Sequence, residues 1–180
     1  MVSAQSIEVI KRNGRKKEVL DISKIHDMVE HACEDIKGVS SSQVEMNSGL
    51  QFYNNITTDE IQQIITKSAA DLISLDTPNY TYVAARLLLF SLRKNLFHKL
   101  WDHPHFYDQV KRLVDLKLYD SLIMKDYDRR DFDRMEYWLK HDRDYDFTYA
   151  GLRQVIDKYL VQDRSTGQIY ETPQFMYMMI

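Results

Sequence analysis

Cationic side chains are concentrated near the amino end of the sequence, in the stretch "IKRNGRKKEVLDISKI" at residues 10–25. Five lysines and arginines fall between Lys11 and Lys17, around Gly14, and Lys24 follows a short apolar run. Cations and hydrogen-bond donors that converge on one point bind phosphate groups. A basic hairpin tip that serves only solubility and edge protection would have the same composition. The local sequence therefore leaves a phosphate site and a solvated tip open.

Two carboxylates, Glu18 and Asp21, stand beside these cations. They would repel a triphosphate that they faced, so in a nucleotide site we expect them to accept hydrogen bonds from the base or ribose. Surface ion pairs with neighbouring lysines are the alternative. Thr58 stands at a predicted helix start, where backbone amides and the helix dipole favour anions. Helix capping, for which Thr57 competes, is the alternative role for this threonine.

Side chains of the kind that form metal or catalytic centres are sparse. His103 and His105 beside Asp102 lack the spacing of a zinc site, so we expect neither a metal site nor a catalytic residue. Cys33 is the single cysteine, and we expect it to be a small buried side chain on the apolar face of a helix. The sequence contains neither a P-loop nor a G-x-G-x-x-G motif, so any nucleotide binds without them.

Composition excludes several classes of protein. The 180 residues are 44% hydrophobic and carry a net charge of -3, which argues against a protein devoted to duplex DNA. No apolar run approaches the roughly 20 residues needed to span a membrane, and the first residues do not resemble a signal peptide. A lone cysteine indicates a reducing, cytoplasmic setting. We therefore expect neither nucleic acid nor a membrane as a partner.

The elements that must position these residues are predicted to be mainly helical. Strands at 7–12 and 18–20 would form a hairpin, because the Asn13-Gly14 pair readily supplies the positive φ of a tight turn. Apolar residues at helical spacing predict a helix over 23–36. Capping-box spacing predicts two further helix starts, at Ser42 (to about residue 53) and after Thr57. An apolar segment at 82–97 is typical of a central bundle helix.

The amino-acid composition changes after residue 100. The segment 102–146 is rich in interleaved acidic and basic residues, as on the exposed faces of short helices. We expect a domain boundary near Pro104, a helix over 148–160, and a hairpin around the Ser-Thr-Gly turn that follows. The last residues, "PQFMYMMI", form an apolar run that we expect to pack on something outside this chain.

The basic stretch resembles the opening of an ATP cone, the regulatory nucleotide-binding domain of ribonucleotide reductases. The resemblance rests on Lys11-Arg12-Asn13-Gly14, Glu18, Asp21 and Lys24-Ile25. It continues through "QFYNNITTDEIQQIITKSAADLIS", "PNYTYVAARLLLFSLRK", "YDQVKRLVDLKLYD" and "KYLVQDRSTGQIYETPQF". These stretches are similar to the large subunit of class I ribonucleoside-diphosphate reductase over essentially the whole chain.

The resemblance implies a mainly α fold with a small β component. Residues 1–100 would be an ATP-cone four-helix bundle capped by a β-hairpin or small sheet. Residues 101–180 would be the helical start of the large-subunit domain, ending in a β-hairpin. The implied effector is ATP or dATP with Mg²⁺. Lys11, Lys94 and Thr58 would meet phosphates with Arg12 nearby, while Phe90 would line the pocket. The full set implied is Lys11, Arg12, Glu18, Val19, Leu20, Asp21, Ile22, Ser23, Lys24, Ile25, Thr58, Gln62, Phe90 and Lys94.

Two local departures from the family pattern accompany this resemblance. The turn after Gly14 is one residue longer, and we expect Arg15, Lys16 and Lys17 in it to be merely solvated. Gln62 stands where inhibited members often carry histidine, and a glutamine cannot become cationic. Its contact with phosphate should therefore be weaker than that of a histidine.

The catalytic barrel of the family and its radical-bearing and redox cysteines have no counterpart in these 180 residues. The chain is therefore expected to be a fragment or one piece of a split subunit, serving reduction of ribonucleotides to deoxyribonucleotides without catalysing it alone. The implied partners are the remainder of the large subunit, the small radical-generating subunit and an oligomeric holoenzyme. Two alternatives remain open. One is a stand-alone regulator, although a single cysteine rules out a cysteine-rich zinc ribbon. The other is a ligand-free structural or interaction module that mediates subunit assembly.

Overall fold

A computed structural model describes residues 7–11 and 16–180 of the chain. The described part is mainly helical with a small sheet, which confirms the predicted class. It divides into two compact units, the first of residues 7–11, 16–91 and 147–150 and the second of residues 92–146 with 151–180. The helices are α1 (Ile22–Cys33), α2 (Ser41–Gly49), α3 (Thr58–Asp71), α4 (Tyr80–Phe97), α5 (Phe106–Asp115), α6 (Ile123–Asp126), α7 (Arg129–Trp138), a 3₁₀ helix (His141–Asp146), α8 (Tyr149–Lys158) and α9 (Pro173–Met179).

A three-stranded sheet belongs to the first unit, with β1 (Glu8–Ile10) between β2 (Lys17–Val19) and β3 (Ile56–Thr57). β1 and β2 pair antiparallel, with Val9 opposite Glu18. The predicted Asn13-Gly14 turn between them lies outside the described residues. β3 runs parallel to β1 and was not predicted, because a two-residue strand is too short to show an alternating pattern.

Helix α1 buries Ile25, Val29 and Ala32, which recur at helical spacing and form its core-facing stripe. The helix ends at Cys33, three residues before its predicted end, since Asp35 adopts a φ of 60° that no α-helix continues.

Helix α2 begins at Ser41, one residue before the start predicted from the capping box of Ser42. Ser40 occupies the cap position without a side-chain hydrogen bond. The predicted Ser42–Glu45 box is therefore wrong, and Glu45 instead accepts from His26 of α1 at 2.9 Å. This contact joins α1 to α2, so a tertiary interaction replaces the local one.

Helix α3 begins with the predicted capping box. The Thr57 hydroxyl accepts from the Glu60 amide at 3.2 Å, and the Glu60 carboxylate accepts from the Thr57 amide at 2.8 Å. Helix α4 follows Pro78 and is buried over much of its circumference in the first unit, as its continuous apolar sequence predicts. Its buried hydrophobic residues in that unit are Tyr80, Val83, Ala84, Ala85, Leu87, Leu89 and Phe90.

The second unit has its own hydrophobic core, formed by Phe106, Val110, Phe132, Leu139 and Phe175. Two short strands, β4 (Gln162–Asp163) and β5 (Gln168–Ile169), pair antiparallel in this unit. Among the described residues, no helix is long and apolar enough to cross a membrane.

The apolar end of the chain differs from its prediction. The "PQFMYMMI" segment forms α9, which begins with Pro173 in the first turn, where its missing N–H costs nothing. Phe175 and Met176 are buried, and the Phe175 ring stacks on Phe106 with centroids 5.9 Å apart. The expectation that the whole segment packs on something outside the chain is therefore wrong for its first half. Tyr177 and Ile180 remain exposed.

Candidate functional site

Lys11 is the last described residue before the undescribed turn, and it directly follows β1. It therefore lies at the sheet edge formed by the carboxyl ends of β1 and β3, where α3 begins. Ile10 pairs with Thr57 in parallel register, and the residues that follow them are Lys11 on β1's side and Thr58 at the start of α3. On the other side of β1, the Lys11 amide donates to the Lys16 carbonyl at 2.9 Å. Lys11 thus follows β1 at the end of the sheet where β3 leads into the 14-residue helix α3, and Lys16 lies across β1 from β3.

Glu18 lies on the same face of the sheet as these lysines. It is directly opposite the buried Val9, and alternation along the strands puts Lys11 and Lys16 on that face too. The Lys11 ammonium is 2.8 Å from one Glu18 oxygen, and the Lys16 ammonium is 2.9 Å from the other. Hydrogen bonds from Lys11 and then Lys16 lower the pKa of Glu18 to about 2. Glu18 is therefore an anion that engages two cations at once.

A second carboxylate, Asp21, caps α1 at the end of the strand pair. Its Oδ1 accepts from the Ser23 amide at 3.1 Å and from the Ser23 hydroxyl at 2.6 Å. Its Oδ2 lies 3.1 Å from the Lys24 ammonium. The Ser23 hydroxyl, followed by Lys24, lowers the pKa of Asp21. Each of these two predicted nucleoside-binding carboxylates is therefore paired with a predicted ligand-binding cation.

The apolar residues predicted around the base are not all brought to this face. Val19 is 62% exposed and pairs with Glu8, so its side chain points to the face opposite Glu18. Ile22 is 69% exposed at the start of α1, whereas Leu20 is half-buried. Ile25 is buried in the α1 stripe.

The two threonines at the start of α3 have separate roles. Thr57 supplies the cap, and Thr58 is the first helical residue, with a half-buried side chain. Asp59 and Glu60 also occupy the first turn, and the Thr57 amide is the main cause of a lowered Glu60 pKa. An anion arriving at this helix end meets favourable backbone donors together with two carboxylates, so the lysines must supply most of the attraction.

Two further predicted residues, Gln62 and Phe90, lie in the core of the first unit. Gln62 is 6% exposed, and its side-chain amide donates to the Leu87 carbonyl of α4 at 3.2 Å. Phe90 is fully buried, with its ring centroid 5.8 Å from that of His31. Lys94 is exposed on α4, one turn beyond Phe90, and belongs to the second unit. Arg12 lies outside the described residues.

A groove in the first unit runs along α1 and includes His31, whose ring lies beside that of Phe90. It is lined by Asp27, Glu30, His31, Cys33, Glu34, Val39, Ser40 and Ser41. Its three carboxylates would repel phosphate groups, so we do not assign the nucleotide to it. Burial raises the pKa of the Cys33 thiol to about 11, which keeps it protonated and unreactive at neutral pH.

His103, which the sequence predicts not to bind a metal ion, packs against another histidine ring. His103 stacks on His141 with ring centroids 3.8 Å apart, and burial lowers the pKa of His103 to about 3. In the described part of the chain, no group of three or more His, Cys, Asp or Glu residues is placed to hold a metal ion.

Lys16 and Asn55 contribute contacts that sequence reasoning missed. Lys16 was expected to be merely solvated, but it pairs with Glu18 at 2.9 Å, so that expectation is wrong. Lys17 likewise donates to the Asn55 Oδ1 at 2.6 Å, where Asn55 adopts a φ of 65° just before β3. The signal available in the sequence was the Asn54-Asn55 pair, since asparagine tolerates this conformation in turns.

Comparison with known proteins identifies the domain that carries these residues. Residues 7–95 match the family described as "ATP cone domain". A ribonucleoside-diphosphate reductase subunit alpha of Buchnera aphidicola subsp. Acyrthosiphon pisum is 47% identical over 176 residues, which is 98% of this chain and 23% of that protein. The Salmonella typhimurium ribonucleoside-diphosphate reductase 1 subunit alpha is 46% identical over the same shares.

A viral relative is similar over the same share of the chain. The ribonucleoside-diphosphate reductase subunit alpha of Enterobacteria phage T4 is 40% identical over 178 residues, again 98% of this chain and 23% of the relative. The chain thus spans about a quarter of the length of the relatives it matches. The chain belongs to the ribonucleoside-diphosphate reductase alpha-subunit family, and its residues 7–95 form the ATP cone domain.

Proposed function

We propose that the first unit binds ATP or dATP as an allosteric effector at the sheet edge formed by Lys11, Lys16 and the amino end of α3. The single observation that carries this proposal is the pairing of Ile10 with Thr57, which brings the end of β1, followed by Lys11, to the strand that leads into α3 within an ATP cone domain. Backbone amides at a helix start together with ammonium groups attract phosphate.

The ligand would be divided along this edge by charge. Lys11 and Thr58, with Arg12, would meet the phosphates. The stretch from Glu18 to Ile25 would hold the base and ribose, where carboxylates accept from amino and hydroxyl groups. Support comes from Glu18 and Asp21, which already accept from ammonium and hydroxyl donors in this structure. Mg²⁺ would accompany the triphosphate, because it binds phosphate oxygens with few protein ligands.

The wider setting follows from the family. Residues 1–100 would be the regulatory four-helix bundle with its sheet as a cap, and residues 101–180 the start of the helical part of the large-subunit domain. The complete subunit would reduce ribonucleoside diphosphates for deoxyribonucleotide synthesis in the cytoplasm. It would act with the small radical-generating subunit in an oligomeric holoenzyme. This chain would contribute effector binding and subunit contacts rather than catalytic groups.

The contribution of Gln62 to phosphate binding affects how strongly dATP is bound. Its side-chain amide donates to the α4 backbone in this structure, so ligand contact through Gln62 would require that hydrogen bond to be exchanged. We propose that Gln62 therefore contributes less to phosphate binding than the lysines, and that Gln62→His would strengthen dATP binding more at pH 6 than at pH 8, because only histidine gains charge in that range.

Calorimetric titration of the chain with ATP and Mg²⁺ tests the assignment. Lys11→Ala should weaken ATP binding by about 10- to 100-fold, the value of one charge-assisted hydrogen bond. Lys67→Ala is the matched control, since Lys67 is exposed on α3 nine residues after Thr58, about 13 Å along the helix. It removes the same charge from the same unit.

Each outcome of the titration has one meaning. Strong weakening by Lys11→Ala with little change in the control supports the site. Equal effects of the two variants would show attraction by net charge alone and would refute the assigned site. A folded chain that binds no ATP would refute nucleotide binding and favour the alternative of a ligand-free assembly module.

A further inference from the structure

Glu18 presents a conflict at the proposed site. Lys11 is a cation proposed to hold the phosphates, yet its ammonium is already 2.8 Å from a Glu18 oxygen. A phosphate held by the same ammonium would come within a few ångströms of that carboxylate. Two anions at this separation repel each other, even though a lysine has three donors to share.

The Glu18 carboxylate is charged at neutral pH, where phosphate would bind. Lys11 and Lys16 hold the pKa of Glu18 near 2, and its two oxygens are occupied by these two lysines. A ligand that draws Lys11 toward itself therefore leaves one Glu18 oxygen with a lost partner. A polyphosphate has no hydrogen-bond donor to replace that ammonium, whereas a nucleoside offers ribose hydroxyls and a base amino group.

We propose that Glu18 is a specificity-determining residue that makes the site select nucleotides over inorganic polyphosphates of the same charge. It opposes any anion at Lys11, and only a ligand that also brings a donor to the released carboxylate oxygen offsets that opposition. This inference rests on the proposed nucleotide site and adds to it the discrimination against the bare phosphate chain.

Asp21 does not serve in the same way. Its Oδ1 is bound to the amide and hydroxyl of Ser23 and caps α1, so it is committed to the fold of the helix start. Its ammonium partner, Lys24, lies in helix α1, whereas Lys11 directly follows β1. Among the described residues, Glu18 is the carboxylate that pairs with both Lys11 and Lys16.

Calorimetry with two ligands, ATP and inorganic tripolyphosphate, measures the discrimination directly. In Glu18→Gln the affinity for tripolyphosphate should rise about tenfold, as expected from removing one charge a few ångströms from phosphate at an exposed site. The affinity for ATP should stay the same or fall, because the nucleoside loses a charged acceptor. The ratio of the two affinities should therefore fall by about tenfold or more.

Glu8→Gln is the matched control. Glu8 lies on neighbouring β1, is exposed, and faces Lys17 at 4.0 Å on the opposite face of the sheet. The substitution changes net charge by the same amount, so it should shift both affinities slightly and leave their ratio unchanged. Glu18→Ala, with folding checked by circular dichroism, repeats the test should the glutamine disturb the strand pair.

The outcomes separate this inference from the function on which it rests. A wild-type chain that binds neither ligand refutes the proposed nucleotide site. A wild-type chain that binds ATP, with a ratio unchanged in both Glu18 variants, overturns the specificity role and leaves the site standing. A ratio that falls equally in Glu8→Gln also overturns it, since net charge would then explain the effect.

Discussion

Replacing Arg93 with methionine should destabilise the second unit strongly and in a pH-dependent manner. Arg93 is 1% exposed and Asp144 is fully buried, and their charged groups lie 3.6 Å apart. The guanidinium also donates to the His141 carbonyl at 2.8 Å. Arg93→Met keeps the apolar volume but leaves a buried carboxylate without its cation.

The magnitude follows from the geometry. At 3.6 Å and an effective dielectric constant of about 20, the Coulomb attraction is roughly 5 kcal/mol. Breaking one side of a buried pair costs about 3–5 kcal/mol in practice. We therefore expect Arg93→Met to lower the free energy of unfolding by about 3–5 kcal/mol at pH 8. Asp144→Asn in the same background should recover most of this loss, because a neutral amide needs no cation.

The sign of the pH dependence comes from Asp144. Burial raises its pKa to about 6 even beside Arg93, well above the unfolded value of about 3.9. Its protonated form is therefore favoured by folding, with full benefit below about pH 4 that is lost as pH rises through 6. Without Arg93 the pKa rises further. The penalty of Arg93→Met should thus shrink by about 2–3 kcal/mol between pH 8 and pH 5, at roughly 1.4 kcal/mol per pH unit.

Urea denaturation at both pH values, followed by circular dichroism, measures these differences. The same free-energy penalty for Arg93→Met at pH 5 and pH 8 would refute the role of the buried carboxylate. So would a double variant, Arg93→Met with Asp144→Asn, that is no more stable than the single variant at pH 8.

Two further predictions concern the first unit. Thr57→Ala should lower the free energy of unfolding by about 1 kcal/mol through loss of the α3 cap, whereas Thr58→Ala, which leaves the cap intact, should cost less; equal losses in the two denaturation curves would contradict the assigned cap. The pKa of His26 is raised chiefly by Glu45, so the contribution of this pair to stability is present below about pH 6.5 and is lost as pH rises through the raised pKa. Glu45→Gln should lower the His26 pKa in an NMR titration and Glu30→Gln, whose carboxylate is 3.7 Å away, should lower it less; the reverse order would exclude the 2.9 Å contact as the cause.

Local sequence signals predicted the helices wherever short-range physics decides them. The Thr57–Glu60 box forms as expected because both partners lie within one turn. The Ser42–Glu45 spacing predicted a box in the same way, but Glu45 reaches His26 on another helix instead. A capping pattern states which hydrogen bonds are available within a turn, and a stronger partner from elsewhere in the fold can take one of them.

Strand β3 shows a second limit of the sequence. Ile56 and Thr57 are too few to reveal a strand, and their pairing with β1 joins residues more than forty positions apart. Asn54 supports that pairing by accepting from the Glu8 amide at 2.9 Å. Contacts of such separation depend on how the helices bring the chain back, which no local pattern encodes.

For the candidate site, the amino-acid sequence alone predicts which groups are available: a cluster of cations, two carboxylates beside it, and a threonine at a helix start. These depend only on residue types and near-neighbour spacing. Which of these groups come into contact depends on strand pairing and helix packing. Register placed Lys11 and Lys16 against Glu18 and Ile10 beside Thr57, and packing placed Gln62 and Phe90 in the core. The physical reason is that a charge acts over a few ångströms of space, and only the pairing of strands and the packing of helices bring distant positions within that range.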